Sequence, residues 1–456
     1  MKRSSADFRQ ASAEAVKNER VIAAVRRTAD ILVKKRAEAV AGRPGYEETR
    51  ARAKERRREA DADREKYIAL FKKNAEKRGA VVHEAVDAAE ARAIAVGLAR
   101  EYGIRTAVKS KSMTAEEIGL NEALEEAGVE VTETDLGEFI IQVANEPPSH
   151  IMAPAIHKSR AEVAALFAHK LGSPPDLDVE GLVAVARRHL REKFLNADLG
   201  ITGCNFAIAE TGTAALVTNE GNGRMCTTLP RVQLVLAGID KVLPSLSDLP
   251  DFLMLLTHSA SGQKISTYFS LTTGPRRAGE EEGPEKLHII LLDNGRRRIG
   301  GGPYGDMLHC LHCGACLSHC PVYRAIGGHA YNAVYPGPMG SVLSPLISGR
   351  ERYPDLPSAC TLCGRCGEIC PASIPLPDYL RRLRGETKPV GAAMSLGASL
   401  AAKPYFYRKG LGLVRALLKG RIAAGPLAEW KKVRELPSPE EGEPFRDWWK
   451  AEENKP

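Results

Sequence analysis

Eight cysteines between residues 310 and 370 are the side chains of this sequence best suited to chemistry. They form two runs of identical spacing, in which three cysteines lie three residues apart, a fourth follows four residues later, and a proline comes directly after it. The runs are Cys310, Cys313, Cys316 and Cys320, then Cys360, Cys363, Cys366 and Cys370. Bacterial ferredoxins use this spacing to bind [4Fe–4S] clusters through thiolates. The sequence therefore predicts two [4Fe–4S] clusters and a role in electron transfer.

The fourth cysteine of each run is expected to bind the cluster of the other run. After three closely spaced thiolates the chain turns away and carries the fourth toward a second cluster, as in two-cluster ferredoxins. The expected ligands of the first cluster are Cys310, Cys313, Cys316 and Cys370, and those of the second cluster are Cys360, Cys363, Cys366 and Cys320. Pro321 and Pro371 suit the first turn of a helix, where a missing N–H is no loss. Each fourth cysteine is therefore predicted at the start of a helix.

Zinc is the main alternative to iron, because four thiolates in Cys-x2-Cys pairs also satisfy a structural zinc ion. Zinc sites are built from two pairs, however, rather than from a triplet and a Cys-Pro. A disulfide framework does not suit a chain expected in a reducing cytoplasm. His309, His312 and His319 lie beside the cysteines and could ligate. With eight thiolates available, we expect them instead to form hydrogen bonds near the clusters or to face solvent.

The elements before the cysteines alternate between strands and helices from about residue 79. Strands are predicted at 80–83, 105–108 and 129–131, and a helix at 85–101, after two amphipathic helices at 8–40 and 48–78. This alternation predicts an α/β domain with a largely parallel sheet. Ligands bind at the strand ends of such sheets, so the loops 109–113 and 133–138 are candidate binding segments. Residues 114–117 are predicted as a capping box that begins the next helix.

Three polar residues of this α/β domain are candidate substrate ligands: Glu210, Arg224 and His157. Glu210 begins a turn between two predicted strands at 206–209 and 214–218. Arg224 ends the segment Gly-Asn-Gly-Arg, a tight loop suited to an anion or a plain hairpin turn. Its guanidinium is the natural bidentate partner of a carboxylate. His157 follows His150 among three prolines, which favours a capping or pocket-lining role over a metal pair.

Charge and composition limit the classes of function. Residues 1–80 contain 23 Lys or Arg against 13 Asp or Glu, whereas the whole chain of 456 residues has a net charge of +8. Acidic residues are interleaved with these basic ones, so we expect a solvated helical face or a docking surface rather than nucleic-acid binding. The sequence has no long apolar run for a membrane span and no apolar signal core, which favours the cytoplasm. Cys204 and Cys226 are predicted to be buried free thiols.

Four segments are predicted from these features. Residues 1–78 form N-terminal helices, 79–299 the α/β domain, 300–385 the cluster domain, and 386–456 basic helices with a tail that contains Trp448 and Trp449. The long interval between Cys320 and Cys360 favours a helical ferredoxin-like cluster domain. The basic and apolar residues of 389–425 suit either an anionic membrane surface at the inner face or packing on the cluster domain. The two tryptophans suggest a docking anchor.

Several motifs together resemble the lactate utilization protein B family. They are the segments at 109–113, 133–138, 148–150, 154–157, 210–213, 218–225, 292–295 and 445–449, with the paired cysteine runs. The resemblance implies a lactate-utilisation (LUD) domain, similar to the sugar-phosphate isomerase and CoA-transferase fold, followed by the helical ferredoxin-like domain. It also implies a role in oxidising L-lactate to pyruvate. The implied partners are an iron–sulfur subunit with cysteine-rich repeats and a second LUD protein; catalytic residues are not implied.

Three functions are compatible with these features. The first is an electron-transfer subunit of a lactate-oxidising complex, dependent on its partners and on an electron acceptor, with the membrane as one location for that acceptor. The second is an enzyme whose LUD domain performs isomerase-like or transferase-like chemistry, with regulatory clusters. The third is a zinc scaffold. No Gly-x-Gly-x-x-Gly follows a predicted strand, so no flavin or nicotinamide fingerprint is visible.

Overall fold

Four helices precede the first strand in the computed structural model, which describes residues 7–387, 392–419, 448–449 and 452–453. They are α1 (Phe8–Ala15), α2 (Glu19–Ala41), α3 (Tyr46–Ala62) and α4 (Arg64–Lys77). The two predicted helices are therefore each interrupted once. The first interruption is at Asn18, whose side chain accepts a hydrogen bond from the Val21 N–H and caps α2. The second is at Asp63; Asn and Asp favour such breaks because they compete for backbone hydrogen bonds.

Strands and helices then alternate as far as residue 292. In chain order they are β1 (Val81–Ala85), α5 (Ala88–Glu101), β2 (Thr106–Lys109), α6 (Met113–Ile118), α7 (Leu120–Glu126), β3 (Glu130–Glu133), α8 (Leu136–Ala144), α9 (Arg160–Leu171), α10 (Val179–Leu195), β4 (Leu199–Gly203), β5 (Phe206–Ile208), β6 (Thr213–Thr218), α11 (Asn222–Thr228), β7 (Val232–Gly238), β8 (Val242–Leu243), α12 (Leu249–Ala260), β9 (Tyr268–Thr272) and β10 (Lys286–Leu292). The predicted α/β alternation is confirmed.

Six of these strands form one parallel sheet in the order β1-β10-β7-β4-β2-β3. Every residue of β4 and of β7 is buried. Continuous burial is expected because parallel sheets are covered on both faces. A second sheet has the order β8-β5-β6-β9, with β6 antiparallel to both of its neighbours. Since all six strands of the first sheet are parallel, their carboxyl ends lie along one edge.

Short helices follow the last strand and surround the cysteines. They are α13 (Arg296–Gly300), α14 (Ala315–His319), α15 (Pro321–Ile326), α16 (Gly337–Ser348), α17 (Arg365–Glu368) and α18 (Leu376–Thr387). Helix α2 packs against α14 and α15, and Arg36 on α2 donates a hydrogen bond to the Ile369 carbonyl over 2.8 Å. One hydrophobic core contains residues from α2, α3, α12 and the cysteine segment. The predicted helical character of the cluster domain is confirmed.

Three local predictions differ from the structure. Ser112, not Thr114, caps α6, because the Ser112 hydroxyl accepts the Ala115 N–H. The Gly-Asn-Gly-Arg segment is the first turn of α11 rather than a loop or a hairpin turn. Pro321 occupies the first turn of α15 as predicted, but no helix begins at Pro371, since α18 begins only at Leu376.

The second unit of the chain begins at Lys388. Its described helices are α19 (Ala392–Ala401) and α20 (Pro404–Lys419), together with exposed Trp448 and Trp449. Residues 420–447, which include Arg421 of the predicted basic segment and 445–447 of the tail motif, lie outside the described residues. Among the described residues, no helix combines the length and the apolar content that a membrane span requires.

Candidate functional site: the cysteine groups and the adjacent cavity

The two cysteine runs have the same backbone conformation. Two residues after the first cysteine of each run, His312 and Leu362 have φ angles of 54° and 57°, and their N–H groups donate to the sulfurs of Cys310 and Cys360 over 3.4 Å and 3.2 Å. The glycines that follow the second cysteines also have positive φ and cap short helices, α14 and α17. Each loop therefore curls around its first cysteine and presents N–H donors to sulfur.

The cysteines lie in two groups, and each group is formed by the first three cysteines of one run and the fourth cysteine of the other run. Burial and the negative charges of Cys313 and Cys370 raise the pKa of Cys310 to about 12. Burial also raises the pKa of Cys320, to about 11, with further increases from Cys360 and Cys363. Thiolates influence one another in this way only at short range. The fourth cysteine of each run is therefore an electrostatic neighbour of the other run.

The chemistry of these groups fits iron–sulfur clusters. All ten cysteines are free thiols. In the described residues no three Cys, His, Asp or Glu side chains converge closely enough to ligate one metal ion. A zinc ion with bonds of about 2.3 Å would need its sulfurs roughly 4 Å apart, whereas a cubane spreads its four ligands more widely. Cys320, Cys360, Cys363 and Cys366 also line one small cavity. Four thiols around one cavity are the donor set that a cubane cluster takes.

Two of the neighbouring histidines are hydrogen-bonded to protein groups, as predicted. The His309 Nε2 lies 2.8 Å from Asp61, and the His319 Nδ1 donates to the Ala315 carbonyl over 2.9 Å. The centroids of the His312 and Tyr335 rings are 5.3 Å apart, and the rings are arranged edge to face. Burial, assisted by the positive charge of Lys241, holds the pKa of His312 well below its ordinary value. The His312 ring is therefore neutral.

A cavity of about 330 Å³ lies at the carboxyl ends of β2 and β4. The chain leaves β2 toward β3 on one side and leaves β4 toward β7 on the other, so this is the switch point of the sheet. Open α/β sheets bind ligands at such points. The walls include Ser110, Lys111 and Asp135 from the predicted strand-end loops, and Glu220 from the end of β6. Leu311 and His312 of the first cysteine run complete the wall.

Two carboxyl groups, Asp135 and Glu220, and two ammonium groups, Lys111 and Lys241, line this cavity. Lys111 forms an ion pair with the buried Glu138. Burial and the charge of Asp135 raise the pKa of Glu220 to about 7, although Lys111 and the Leu136 N–H oppose the increase. Burial also raises the pKa of Asp135. The cavity therefore contains a carboxyl group that gains and loses its proton near neutral pH.

Family models and relatives agree with this architecture. A model described as the LUD domain matches residues 68–292, from α4 to the end of β10, and one described as a 4Fe-4S dicluster domain matches residues 306–374. Relatives named lactate utilization protein B match almost the whole chain. The protein of Bacillus velezensis is 40% identical and covers 99% of this chain and 98% of its own length. That of Macrococcus caseolyticus is 41% identical, with 97% and 96% covered.

This chain belongs to the lactate utilization protein B family. The relative from Bacillus subtilis is also 40% identical, over 97% of this chain and 95% of its own. Among solved structures, a DUF162 family protein from Deinococcus radiodurans covers 50% of this chain at 17% identity, with a TM-score of 0.29. The family models and the curated relatives confirm the predicted family, LUD domain and 4Fe–4S dicluster domain.

In this member of the lactate utilization protein B family, the three predicted substrate ligands do not share a cavity. Glu210 is exposed and accepts hydrogen bonds from the Ser245 hydroxyl and the Leu246 N–H. Arg224 lies on an exposed groove beside β9. His157 lies 2.7 Å from Glu146, and burial lowers its pKa to about 4. The structure therefore does not place Glu210, Arg224 and His157 in a single pocket.

The two histidines of the proline-rich segment do not pair. The His150 Nδ1 accepts hydrogen bonds from the N–H groups of Met152 and Ala153 over 3.0 Å and 3.1 Å. The centroid of the His157 ring lies 4.5 Å from the centroid of the His329 ring. The His150 ring therefore satisfies two backbone N–H groups of this non-helical segment. Cys226 is buried as predicted, but Cys204 is only partly buried because it lines the cavity.

A buried ionic network, which the sequence did not predict, connects the LUD domain to the first cysteine run. Arg296 forms two hydrogen bonds with Glu117, over 2.8 Å and 2.9 Å, and a third with Asp240 over 2.6 Å. Lys241, which lines the cavity, pairs with Asp240 and donates to the Cys310 carbonyl over 3.2 Å. Only the adjacent Asp-Lys pair after β7 offered a signal for this network, since Glu117 and Arg296 are far apart in sequence.

Proposed function

We propose that this chain is the iron–sulfur electron-transfer subunit of a system that oxidises L-lactate to pyruvate. The observation that supports it most directly is the arrangement of eight free cysteines in two crossed, mostly buried groups. The proposed ligands are Cys310, Cys313, Cys316 and Cys370 for the first cluster and Cys360, Cys363, Cys366 and Cys320 for the second. The names of the full-length relatives supply the link to lactate utilization.

Bound [4Fe–4S] clusters would supply one-electron transfer. Three cysteines of the first group, Cys313, Cys316 and Cys370, are buried and belong to the large apolar core, which limits the access of water to them. The N–H groups of His312 and Leu362 donate to cysteine sulfurs, which stabilises negative charge there. Hydrogen bonds to the sulfurs and solvent exposure both tune the potential of such clusters. The second group includes exposed Cys363, which makes it the proposed exit point for electrons.

The number of electrons released by lactate oxidation indicates that this chain needs partner proteins. Oxidation of a hydroxyl to a carbonyl releases two electrons, and the sequence lacks a recognisable flavin or nicotinamide fingerprint. We therefore propose that the chain works with a cysteine-rich-repeat iron–sulfur subunit and a second LUD protein. The purified chain alone should not oxidise lactate at a useful rate. The alternative of isomerase-like or transferase-like chemistry has less support, because the cavity wall includes part of the first cysteine run.

We also propose that the system works at the inner face of the membrane. The segment 392–419 contains Lys403, Arg408 and Lys409 among its five basic residues and no Asp or Glu. Tyr405 and Phe406 on α20 have 61% and 47% of their surface exposed. A basic helix with exposed aromatic side chains suits an anionic lipid surface.

Lactate-dependent reduction of the clusters tests the electron-transfer proposal. The chain is purified anaerobically from its native cell with whatever copurifies, and absorbance near 400 nm is followed after addition of L-lactate. Bleaching is expected in the assembled preparation and not in the isolated chain. Cys226→Ala serves as the matched control, since it removes a buried thiol that belongs to neither group and does not line the cavity, and it should bleach as the natural protein does. Rapid lactate oxidation by the isolated chain, or an assembled preparation that never bleaches, would contradict the proposal.

A further inference from the structure

We propose that the cavity between β2, β4 and the first cysteine run binds a small 2-hydroxy or 2-oxo carboxylate. Lys111 and Ser110 would donate hydrogen bonds to its oxygens, and Glu220 would form a hydrogen bond with the oxygen on carbon 2, as donor when protonated and as acceptor when ionised. The inference builds on the proposed function and assigns a substrate site to it. None of the residues predicted from sequence as substrate ligands, Glu210, Arg224 and His157, takes part.

The cavity has the position and size of a binding site. It lies at the switch point of the parallel sheet, where loops after neighbouring strands diverge and leave a crevice. Its volume of about 330 Å³ is at the lower end of the range for small-molecule sites. Met113, Met152 and Leu256 contribute apolar wall beside the polar groups. A short carbon chain with polar ends fits such a mixed surface.

The polar wall is rich in hydrogen-bond donors. The oxygens of the Asn205 and Asn219 amides already accept the backbone N–H groups of Val217 and Thr267, so their NH2 groups remain for other partners. An ammonium group has three donors, and within the described chain Lys111 is paired with Glu138 alone. Donors of this kind bind the oxygens of an anion. The ligand is therefore expected to carry a carboxylate.

Ser110 is an independent indication of a ligand. Its side chain is 1% exposed and lines the cavity, yet in the described residues its hydroxyl has no hydrogen-bond partner. Leaving a buried hydroxyl unpaired costs stability. The position is fixed by the backbone, because the Ser110 N–H donates to the Ile201 carbonyl of β4 over 2.9 Å. A ligand oxygen is the partner that this hydroxyl lacks.

Glu220 distinguishes a hydroxy or oxo acid from a plain carboxylate. It faces Asp135, Lys111 and the Leu136 N–H, and its pKa of about 7 means that it is protonated in about half of the molecules at neutral pH. A protonated carboxyl donates to a 2-oxo oxygen, and an ionised one accepts from a 2-hydroxyl. Anion binding should weaken above pH 7 as Glu220 ionises and repels the ligand.

Two residues, His312 and Lys241, connect the site to the first cysteine run. The His312 ring lines the cavity, while its backbone N–H donates to the Cys310 sulfur. Lys241 makes a second connection, because it lines the cavity and donates to the Cys310 carbonyl. A ligand bound here should therefore perturb the first cluster and leave the second unchanged.

Direct binding to the cluster-loaded, isolated full-length chain tests the proposal. Titration calorimetry is run with pyruvate, L-lactate, propionate, which lacks the oxygen on carbon 2, and lactamide, which lacks the carboxylate. Pyruvate and L-lactate should bind, propionate should bind on the order of tenfold more weakly, and lactamide should not bind. Electron paramagnetic resonance of the reduced chain should show a ligand-dependent change in only one of the two cluster signals.

Three variants and one control locate the site. Ser110→Ala removes a hydroxyl without a partner, so it should fold normally and weaken pyruvate binding on the order of tenfold. Lys111→Met should abolish binding, although it also leaves Glu138 without its cation. Lys193→Met is the control, because Lys193 likewise pairs with a glutamate, Glu130, but outside the cavity. Glu220→Gln should remove the loss of affinity above pH 7.

Failure of the site and failure of the proposed function are distinguishable. If neither acid binds, or if folded Ser110→Ala binds pyruvate as tightly as the natural protein, the cavity assignment is overturned. Lactate-dependent bleaching of the assembled preparation would then still support the electron-transfer function. If pyruvate binds with the expected variant pattern but lactate never reduces the clusters, the site stands and the electron-transfer function falls.

Discussion

The backbone N–H of Leu362 donates a hydrogen bond to the Cys360 sulfur over 3.2 Å. Leu362 has a φ of 57° and a side chain with 42% of its surface exposed, so backbone geometry rather than side-chain packing defines its role. His312 forms the equivalent bond to Cys310 in the first run. Two different residues thus adopt the left-handed conformation at the same place, because the spacing of the cysteines requires it.

Leu362→Ile should destabilise this loop, whereas Leu362→Asn should not. A β-branched residue is strained at positive φ, by about 1 kcal/mol or more, while Asn tolerates this region. The thermal unfolding of the anaerobic, cluster-loaded protein measures the difference. Equal midpoints for the two variants would show that strain at residue 362 has no bearing on stability.

Cys370→Ala should damage the first cluster, although Cys370 follows the second triplet in sequence. Cys320→Ala should damage the second cluster. A site with three cysteines tends to lose one iron, so each variant should give one oxidised three-iron signal and one intact four-iron cluster by electron paramagnetic resonance. Cys226→Ala, which removes a buried thiol outside both groups, should leave both clusters intact.

Double variants distinguish crossed from local ligation. Cys370→Ala combined with Cys313→Ala should leave one intact cluster, because both changes fall on the same group. Cys370→Ala combined with Cys363→Ala should damage both. The reverse pattern would mean that each run binds its own cluster.

Arg296→Lys should lower the free energy of unfolding by about 3 kcal/mol or more, because lysine cannot pair with two buried carboxylates in fork geometry. The side chains of Arg296 and Glu117 are each 3% exposed. The neighbouring Arg297→Lys is a matched control, since its partner Glu65 is 65% exposed, and surface pairs contribute about 1 kcal/mol or less. Equal losses in chemical denaturation would show that burial of the first pair is unimportant.

Acid should destabilise the sheet through His288, which is 3% exposed and lies 3.1 Å from His83. Burial and His83 lower the pKa of His288 to about 4. Between pH 6.5 and 4 the unfolded chain therefore binds a proton that the folded chain does not, and stability falls as pH decreases, by up to about 1.4 kcal/mol per unit. His288→Gln should flatten this dependence in denaturation curves at pH 7 and pH 5. A dependence unchanged by the substitution would assign the effect to other groups.

Reversal of two charges on α20 should release the protein from anionic vesicles. Arg408→Glu with Lys409→Glu removes attraction worth about 1 kcal/mol per basic residue near the surface. Cosedimentation with vesicles of phosphatidylserine and phosphatidylcholine is the measurement, and Arg381→Glu, which changes an exposed side chain on α18, is the control. Equal sedimentation of natural and reversed proteins would count against a membrane location.

Sequence patterns predicted the elements whose signals are local. The alternation of strands and helices predicted the parallel sheet. The cysteine spacing predicted crossed ligand sets, which stay a prediction; Cys370 and Cys320 are electrostatic neighbours of the opposite runs. The loops 109–113 and 133–138 do contribute Lys111 and Asp135 to the cavity, because strand ends in a parallel sheet share an edge.

Residues brought together by tertiary packing were not predictable in the same way. Glu220 follows β6 of the second sheet, and the sequence does not reveal that this sheet closes the cavity. Arg224, four residues later, lines an exposed groove and not this cavity, because Gly-Asn-Gly begins a helix instead of forming an anion-binding loop. The pairing of Arg296 with Glu117 depends on side chains that are distant in sequence and therefore carry no spacing signal.

The core shared by the cysteine segment and the N-terminal helices limits how this protein can be recombined. Val25 on α2 and Tyr46 on α3 belong to the same apolar core as Leu317 and Tyr323. Cutting the chain between the LUD domain and the cysteines would therefore expose apolar surface on both fragments. A ferredoxin segment that packs on helices from before the LUD domain cannot be exchanged as an independent module. Domain shuffling in this lineage would have to transfer α2 and α3 together with the redox segment.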